Sequence, residues 1–398
     1  MKKYIGIAAN ELDTYLDYAL LSIVAIYIYN AKPNEMGFLG ACFAVPFLFS
    51  SHFFGRLIDK GHLHQWRALF FFTNSMVTPV FILTGNIYGL LAIAFLKTTA
   101  RCGLNISNVK LNKDDDESRK FYEIYGYLIN FSRVLVPIAV VALYKFSGVW
   151  SVIFFSSTLN VISLIFEAIA VKNREGNNEK ETSKNPDVEE QYSFISEVRK
   201  NSALFYLVAG YTIANFAFFL SNDMLGLFFK DLGQTESSIG MIISLLGVGG
   251  IAGTKIASAL NKSLTAVIIL IMSVIINTTA FALFGFLSKE ITPDYVYYGC
   301  IVLVGMSSGI TFFSIRFGVR EIIGYENAGK ATGTIQLLSS VVAITMPLVG
   351  GYVANVFSLE ITFRITSLIL LFLLFSMSGS IYFSHQRIKI HEQAAKNE

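Results

Sequence analysis

The stretch LTAVIILIMSVIINTTAFALFGFL, Leu264 to Leu287, holds no charged residue and lies between Lys262 and Lys289. An α-helix needs about 20 consecutive apolar residues to cross the hydrocarbon core of a bilayer. The run lacks the period-two alternation of a transmembrane strand, so it reads as a membrane-spanning helix. The whole chain repeats this pattern: 54% of its 398 residues are hydrophobic and 15% are charged, against about 25% charged in ordinary soluble domains. Water is the wrong solvent for such a chain.

Working outward from Leu264, apolar runs bounded by charge or turn clusters place spans near 203–226, 237–258, 264–287, 294–316, 331–354 and 362–383. Six more precede them, near 9–30, 36–55, 66–84, 88–109, 122–144 and 150–171. The fold class expected is an all-α membrane protein of twelve transmembrane helices in two six-helix bundles. The bundles are residues 1–172 and 202–398, the second with a short tail, and the polar segment 173–201 is the linker. The far end of that linker, with Tyr192, Phe194, Ile195 and Val198, reads either as an amphipathic surface helix or as solvated chain.

Lysine and arginine are retained on the cytoplasmic side. With the N-terminus inside, twenty-one of them fall in inner segments and four, Lys32, Lys145, Lys230 and Lys289, in outer ones. Both termini are therefore expected in the cytoplasm, and the protein in a bacterial inner membrane as a multi-pass monomer in contact with lipid. Lys2 and Lys3 precede the first span, but no small-residue cleavage site follows them.

Several groupings carry no chemistry. Cys42, Cys102 and Cys300 lie inside spans without metal-ligand spacing, so neither a disulfide nor a zinc site is implied. His62 and His64 read as a solvated loop, and Asp114 to Glu117 as an acidic loop lacking the turn of a calcium site. Gly247 to Gly250 and Gly253 sit within a span, where small residues let helices approach closely. No metal, organic cofactor or nucleic-acid partner is expected. An embedded enzyme would need a nucleophile with its base, and His52 is the sole histidine within a span.

The segment Gly55-Arg56-Leu57-Ile58-Asp59-Lys60 resembles the signature of the major facilitator superfamily between spans two and three. Pro46-Phe47-Leu48-Phe49, and Gly329-Lys330-Ala331-Thr332-Gly333 leading toward Pro347 and Gly350-Gly351, resemble its branch of macrolide efflux pumps and the enterobactin exporter. Two departures stand out. Gly61-His62-Leu63-His64 lacks the second basic pair of the usual signature, and Val136-Pro137 stands where resembling antiporters carry glycine-proline. The resemblance implies a gating motif of Gly55, Asp59 and Lys60, with Asp59 meeting the start of span eleven near Lys330 to Thr332. It also implies a central cavity lined by spans one, four, seven and ten.

Charges inside a bilayer are expensive unless paired or hydrated, and so mark functional sites. Span one carries Asp13 and Asp17, and span four carries Lys97 and Arg101, each pair four residues apart and thus on one helix face. The two spans run in opposite directions, and Asp17 with Lys97 and Asp13 with Arg101 have the same summed number. Acids and bases are therefore expected at matching depths, as a coupling site or as static salt bridges. Arg133 in span five is a further intramembrane cation, whereas Glu11, Glu123, Glu167 and Asp223 lie nearer span ends and read as interfacial. Asn215 on span seven is expected to contact the substrate. Span ten adds Ser307, Ser308, Thr311 and Arg316.

The deep charges of the first half sum to a surplus of one cation, which favours an anionic small-molecule substrate. The expected function is secondary transport, coupled to protons or to membrane potential, in the form of export of an organic anion such as a polycarboxylate siderophore. Multidrug or macrolide efflux, proton-coupled uptake of an organic anion or iron-siderophore, and a non-transporting membrane receptor are the alternatives. The charge asymmetry is checked by reporter fusions. Those joined after Lys120 and after Lys184 report cytoplasm and one after Lys145 reports the outer side; a cytoplasmic signal at Lys145 overturns the span assignment.

Overall fold

The computed structural model describes residues 2–59, 63–81, 84–108, 115–175, 194–323 and 325–397. Within them the chain is almost wholly helical: α1 (Lys2–Ile23), α2 (Pro33–Asp59), α3 (Leu63–Val80), α4 (Ile87–Asn108), α5 (Asp115–Glu175), α6 (Phe194–Lys200), α7 (Ser202–Ser221), α8 (Leu225–Asp231), α9 (Ser237–Leu260), α10 (Ala266–Phe286), α11 (Asp294–Ile323), α12 (Tyr325–Val356) and α13 (Leu359–Asn397). Each of the twelve expected spans has its helical counterpart. Among the described residues, eight stretches are long and apolar enough to cross a membrane. One of them, Phe131–Ile169, covers both the fifth and sixth spans.

Local chemistry explains where helices break. In α5 the two arms meet at Ser147 and Gly148, and Gly148 adopts φ +68°, a left-handed conformation that a residue without Cβ reaches freely. The first span ends in a π-helical turn, Val24–Ile28. There the Tyr29 amide bonds to the Val24 carbonyl, five residues back, and Pro33 starts α2 in a position that needs no amide proton. Asn201 caps α7 by accepting from the Leu204 amide at 3.2 Å. Within the seventh span a 3-10 turn, Asn222–Met224, interrupts the α-helical pattern between α7 and α8. Of the two linker readings, the helical one matches α6, whose Phe194 is buried and whose Ile195 is exposed. The twelfth span and the expected short tail form one helix, α13, since its polar end is rich in good helix formers.

By internal packing the chain forms two compact units. The first comprises Met1–Glu190, Asp223–Gly247 and Ala343–Asn355; the second comprises Gln191–Asn222, Val248–Val342 and Val356–Glu398. In the first, Phe70, Phe71, Ala100 and Leu104 form a buried cluster of α3 and α4, joined by Phe54, Trp66 and Leu164. At the α1–α2 corner the Lys230 ammonium donates to the Ile26 carbonyl at 2.6 Å and to Asn30 Oδ1 at 2.8 Å. The Tyr27 hydroxyl donates to the Gln234 and Thr235 carbonyls at 3.0 Å.

The second unit owes its tightest joint to glycine. A Cβ at Gly253 of α9 would lie 2.0 Å from the Met306 carbonyl oxygen of α11, and one at Gly309 would lie 2.1 Å from that of Gly250. Small residues let the two backbones meet, the usual device of helix association in lipid. Gly253→Val therefore forces α9 and α11 apart and lowers the melting temperature of the purified protein, an overpacking cost of about 1–3 kcal/mol or more. Gly299→Val on α11, where an added Cβ meets nothing within 4 Å, leaves it unchanged. Equal melting of both variants would contradict this packing.

Candidate functional site

Asp13 and Asp17 project from one face of α1, and Lys97 and Arg101 from one face of α4. The structure brings all four together in the first unit. Lys97 Nζ lies 2.5 Å from Asp17 Oδ2 and 3.3 Å from Asp13 Oδ2. Arg101 Nη2 lies 2.7 Å from Asp13 Oδ2, donates to the Asp13 carbonyl at 3.2 Å, and also pairs with Asp17. Each base thus touches both acids, a closed tetrad rather than two separate bridges.

The remaining walls are neutral and polar. Ser156, on the second arm of α5, donates to Asp13 Oδ1 at 2.5 Å. Thr78 of α3 accepts from Lys97 at 2.6 Å and from the Asn160 amide at 3.2 Å. Asp13, Asp17 and Lys97 have 0% exposure and Arg101 has 6%. Four charges enclosed this way are tolerable only because they sum to zero and hydrogen-bond one another. Within the tetrad itself two groups remain unused: Asp17 Oδ1 and Arg101 Nε have no hydrogen-bond partner among the described residues. The arrangement can hold or release a proton, and a change in its protonation changes its net charge.

The other expected site residues lie elsewhere. Arg133 is half-buried and makes no ion pair among the described residues; its side chain packs against Gly247 of α9. Asn215 stands in the second unit, donates to the Tyr211 carbonyl at 2.9 Å, and lines a cavity of about 150 Å³. Gly55 and Asp59 lie in the last turns of α2, and Lys60 lies outside the described residues. In the same unit as Asn215, Ser273 of α10 shares its hydroxyl with Ser307 at 2.9 Å and Thr311 at 2.5 Å.

The structure corrects one expectation and adds to another: His64 is the second residue of α3 rather than part of a solvated loop, and Glu167, toward the end of α5, is buried. Arg67, 1% exposed, bonds Glu167 Oε1 at 3.1 Å and Ser107 at 2.6 Å, and His64 Nδ1 lies 2.9 Å from the same carboxylate oxygen. The third and sixth spans are antiparallel, with Arg67 near the start of one and Glu167 near the end of the other. The depth matching that pairs Asp17 with Lys97 also pairs these two, so the signal was present in their numbering. Thr78, Ser156 and Asn160 carried no such signal, being uncharged residues of ordinary type.

Membrane-length helices that enclose a buried, charge-balanced cluster within the first unit are the build of a membrane transporter. The family model for the Major Facilitator Superfamily matches residues 5–342, and the chain belongs to that superfamily. A comparison with curated protein sequences gives no match. Among solved structures, the nucleoside transporter NupG is similar with a TM-score of 0.68 at 12% identity, over 94% of this chain and 98% of that one. A bacterial homologue of the human lysosomal transporter Spinster, inward-facing and unoccupied, also gives 0.68 at 12% identity, over 95% and 97%. At that identity the likeness is one of fold.

Removing one member of the tetrad strands a buried charge, at a cost of about 3–5 kcal/mol. Asp17→Asn and Lys97→Met each lower the melting temperature of the purified protein, and the double variant recovers more than half of the loss. Additive losses would mean that the two side chains are not energetically coupled.

Proposed function

We propose that this superfamily member is a secondary transporter of a small organic anion, working by alternating access, with the tetrad as its coupling site. The observation that supports the reading is the enclosure of two acids and two bases at one buried point, each base paired with both acids. Protonating Asp13 or Asp17 turns a neutral cluster into one with a surplus cation, and uptake of an anionic solute by the protein restores neutrality. Proton and anion therefore bind together, each raising the affinity for the other. The same reading gives Arg133 and Asn215 contacts to the solute, and Gly55, Asp59 and Lys60 a gating role. It divides the chain into halves 1–172 and 202–398 joined by 173–201, and places a monomer in a bacterial cytoplasmic membrane with both termini inside.

Joint binding suits uptake along an inward proton gradient. Export of a polycarboxylate siderophore, the form that the sequence motifs suggest, draws instead on the membrane potential. An inside-negative membrane expels an anion with about 2.3 kcal/mol per charge per 100 mV. Both directions use the same anion site, and guanidinium and ammonium groups match carboxylates well.

Vesicles containing the purified protein, loaded with citrate as a polycarboxylate probe or with benzoate, test the coupling under imposed pH or voltage gradients. Wild-type anion flux rises as pH falls; Asp17→Asn flattens that dependence, and Arg101→Ala lowers flux at least tenfold with protein still in the membrane. Wild-type flux and pH profile in both variants would reduce the tetrad to a static brace. Flux of cationic drugs only would favour multidrug efflux, and the absence of any flux would favour a receptor. In cells, deletion of the gene that causes a chelator to accumulate inside under iron starvation supports siderophore export, whereas normal secretion with failure to use the iron-loaded form supports uptake.

A further inference from the structure

The second unit holds a recognition chemistry that the tetrad does not use. A cavity of about 150 Å³ lies among α7, α10 and α11, with Phe218, Phe219 and Phe312 as aromatic walls and Asn277 among its polar groups. An adjoining space of about 40 Å³ shares Tyr211 and Phe312 with it and ends on Arg316 and Gln336.

Arg316 makes no ion pair among the described residues, and its guanidinium lies 4.2 Å from the centre of the Phe312 ring. A cation held on a π face keeps its N–H groups for an incoming acceptor. Tyr211 accepts a hydrogen bond from Ser339 at 3.2 Å, which leaves its own O–H to donate toward the same space. Asn277 is 5% exposed and its Oδ1 has no partner. A buried acceptor left this way is unfavourable until a donor arrives. A single ring fits the space, since a volume of about 150 Å³ accommodates benzene.

We infer that this cavity is the solute-recognition site and that its ligand is a monocyclic carboxylate bearing a hydroxyl or amino group. The ring lies against the phenylalanines, the carboxylate is held by Arg316 with the Tyr211 hydroxyl and Gln336 amide, and the ligand's donor satisfies Asn277. The inference rests on the organic-anion reading above and narrows it to one chemical class.

The test is calorimetric titration of the full-length protein in lipid nanodiscs with benzoate, the three hydroxybenzoates and benzamide. One hydroxybenzoate binds at least tenfold tighter than benzoate, and uncharged benzamide does not bind measurably. Arg316→Gln weakens the favoured ligand at least tenfold, and Asn277→Ala brings it down to the affinity of benzoate. Arg316 has no paired carboxylate to strand, so Arg316→Gln keeps the wild-type melting temperature. No binding by the wild type, or equal binding by Arg316→Gln, overturns the site. Arg316-dependent binding without flux in vesicles keeps the site and sinks the transport reading. Tetrad-dependent flux of citrate that is indifferent to Arg316→Gln keeps transport and sinks the site.

Discussion

A charge inside a bilayer must be neutralised by another part of the same molecule, and in this chain that requirement falls on Asp13, Asp17, Lys97 and Arg101. Each base reaches both acids, so sliding α1 against α4 by one turn breaks several interactions at once. Ser156 and Thr78 tie the second arm of α5 and α3 to the same point. Hydrophobic burial cannot set depth among helices in lipid, because lipid tails are as apolar as the side chains. The tetrad sets it for four helices together. Arg67, Glu167 and Ser107 make a second fixed point near the ends of α3, α4 and α5.

The fold was legible because hydropathy and helix length report directly on the solvent. Leu264 to Leu287 has a single reading, and the other spans follow by the same rule. Charged pairs were legible for a related reason: an intramembrane carboxylate needs a partner at its own depth, and residue numbers along antiparallel helices encode depth. What stayed hidden lacks a charge or a period. Thr78, Ser156 and Asn160 complete the tetrad's walls through hydrogen bonds that any serine, threonine or asparagine can make. The break between α7 and α8 falls at Asn222 to Met224 with neither glycine nor proline to announce it. The helicity of α13 beyond the span reflects intrinsic propensity in a polar segment, where hydropathy is silent.

Glycine divides its labour between these regions. Gly148 is needed for its backbone angle, turning α5 back on itself. Gly253 and Gly309 are needed for what they lack, since backbone oxygens of the facing helix occupy the space a Cβ would fill. Sequence inspection finds Gly247 to Gly253 easily and assigns the small-residue stripe to helix packing. It does not reveal that the partner is α11, because a stripe names one surface and the facing helix is selected by tertiary structure.

The two units solve the problem of buried polarity in opposite ways. In the first, every member of the tetrad is answered by an opposite charge, which makes the cluster stable and nearly inaccessible. In the second, Arg316 and Asn277 are left unanswered beside a cavity. A fully satisfied cluster responds to a change in its own protonation, since that alone disturbs its neutrality. An unsatisfied one responds to whatever supplies the missing acceptor and donor. On the proposed reading, coupling therefore belongs with the closed tetrad and recognition with the open cavity. A solute that completes Arg316 and Asn277 gains interactions the empty protein lacks, and a preference of that kind is the free-energy difference by which binding shifts a population of conformations.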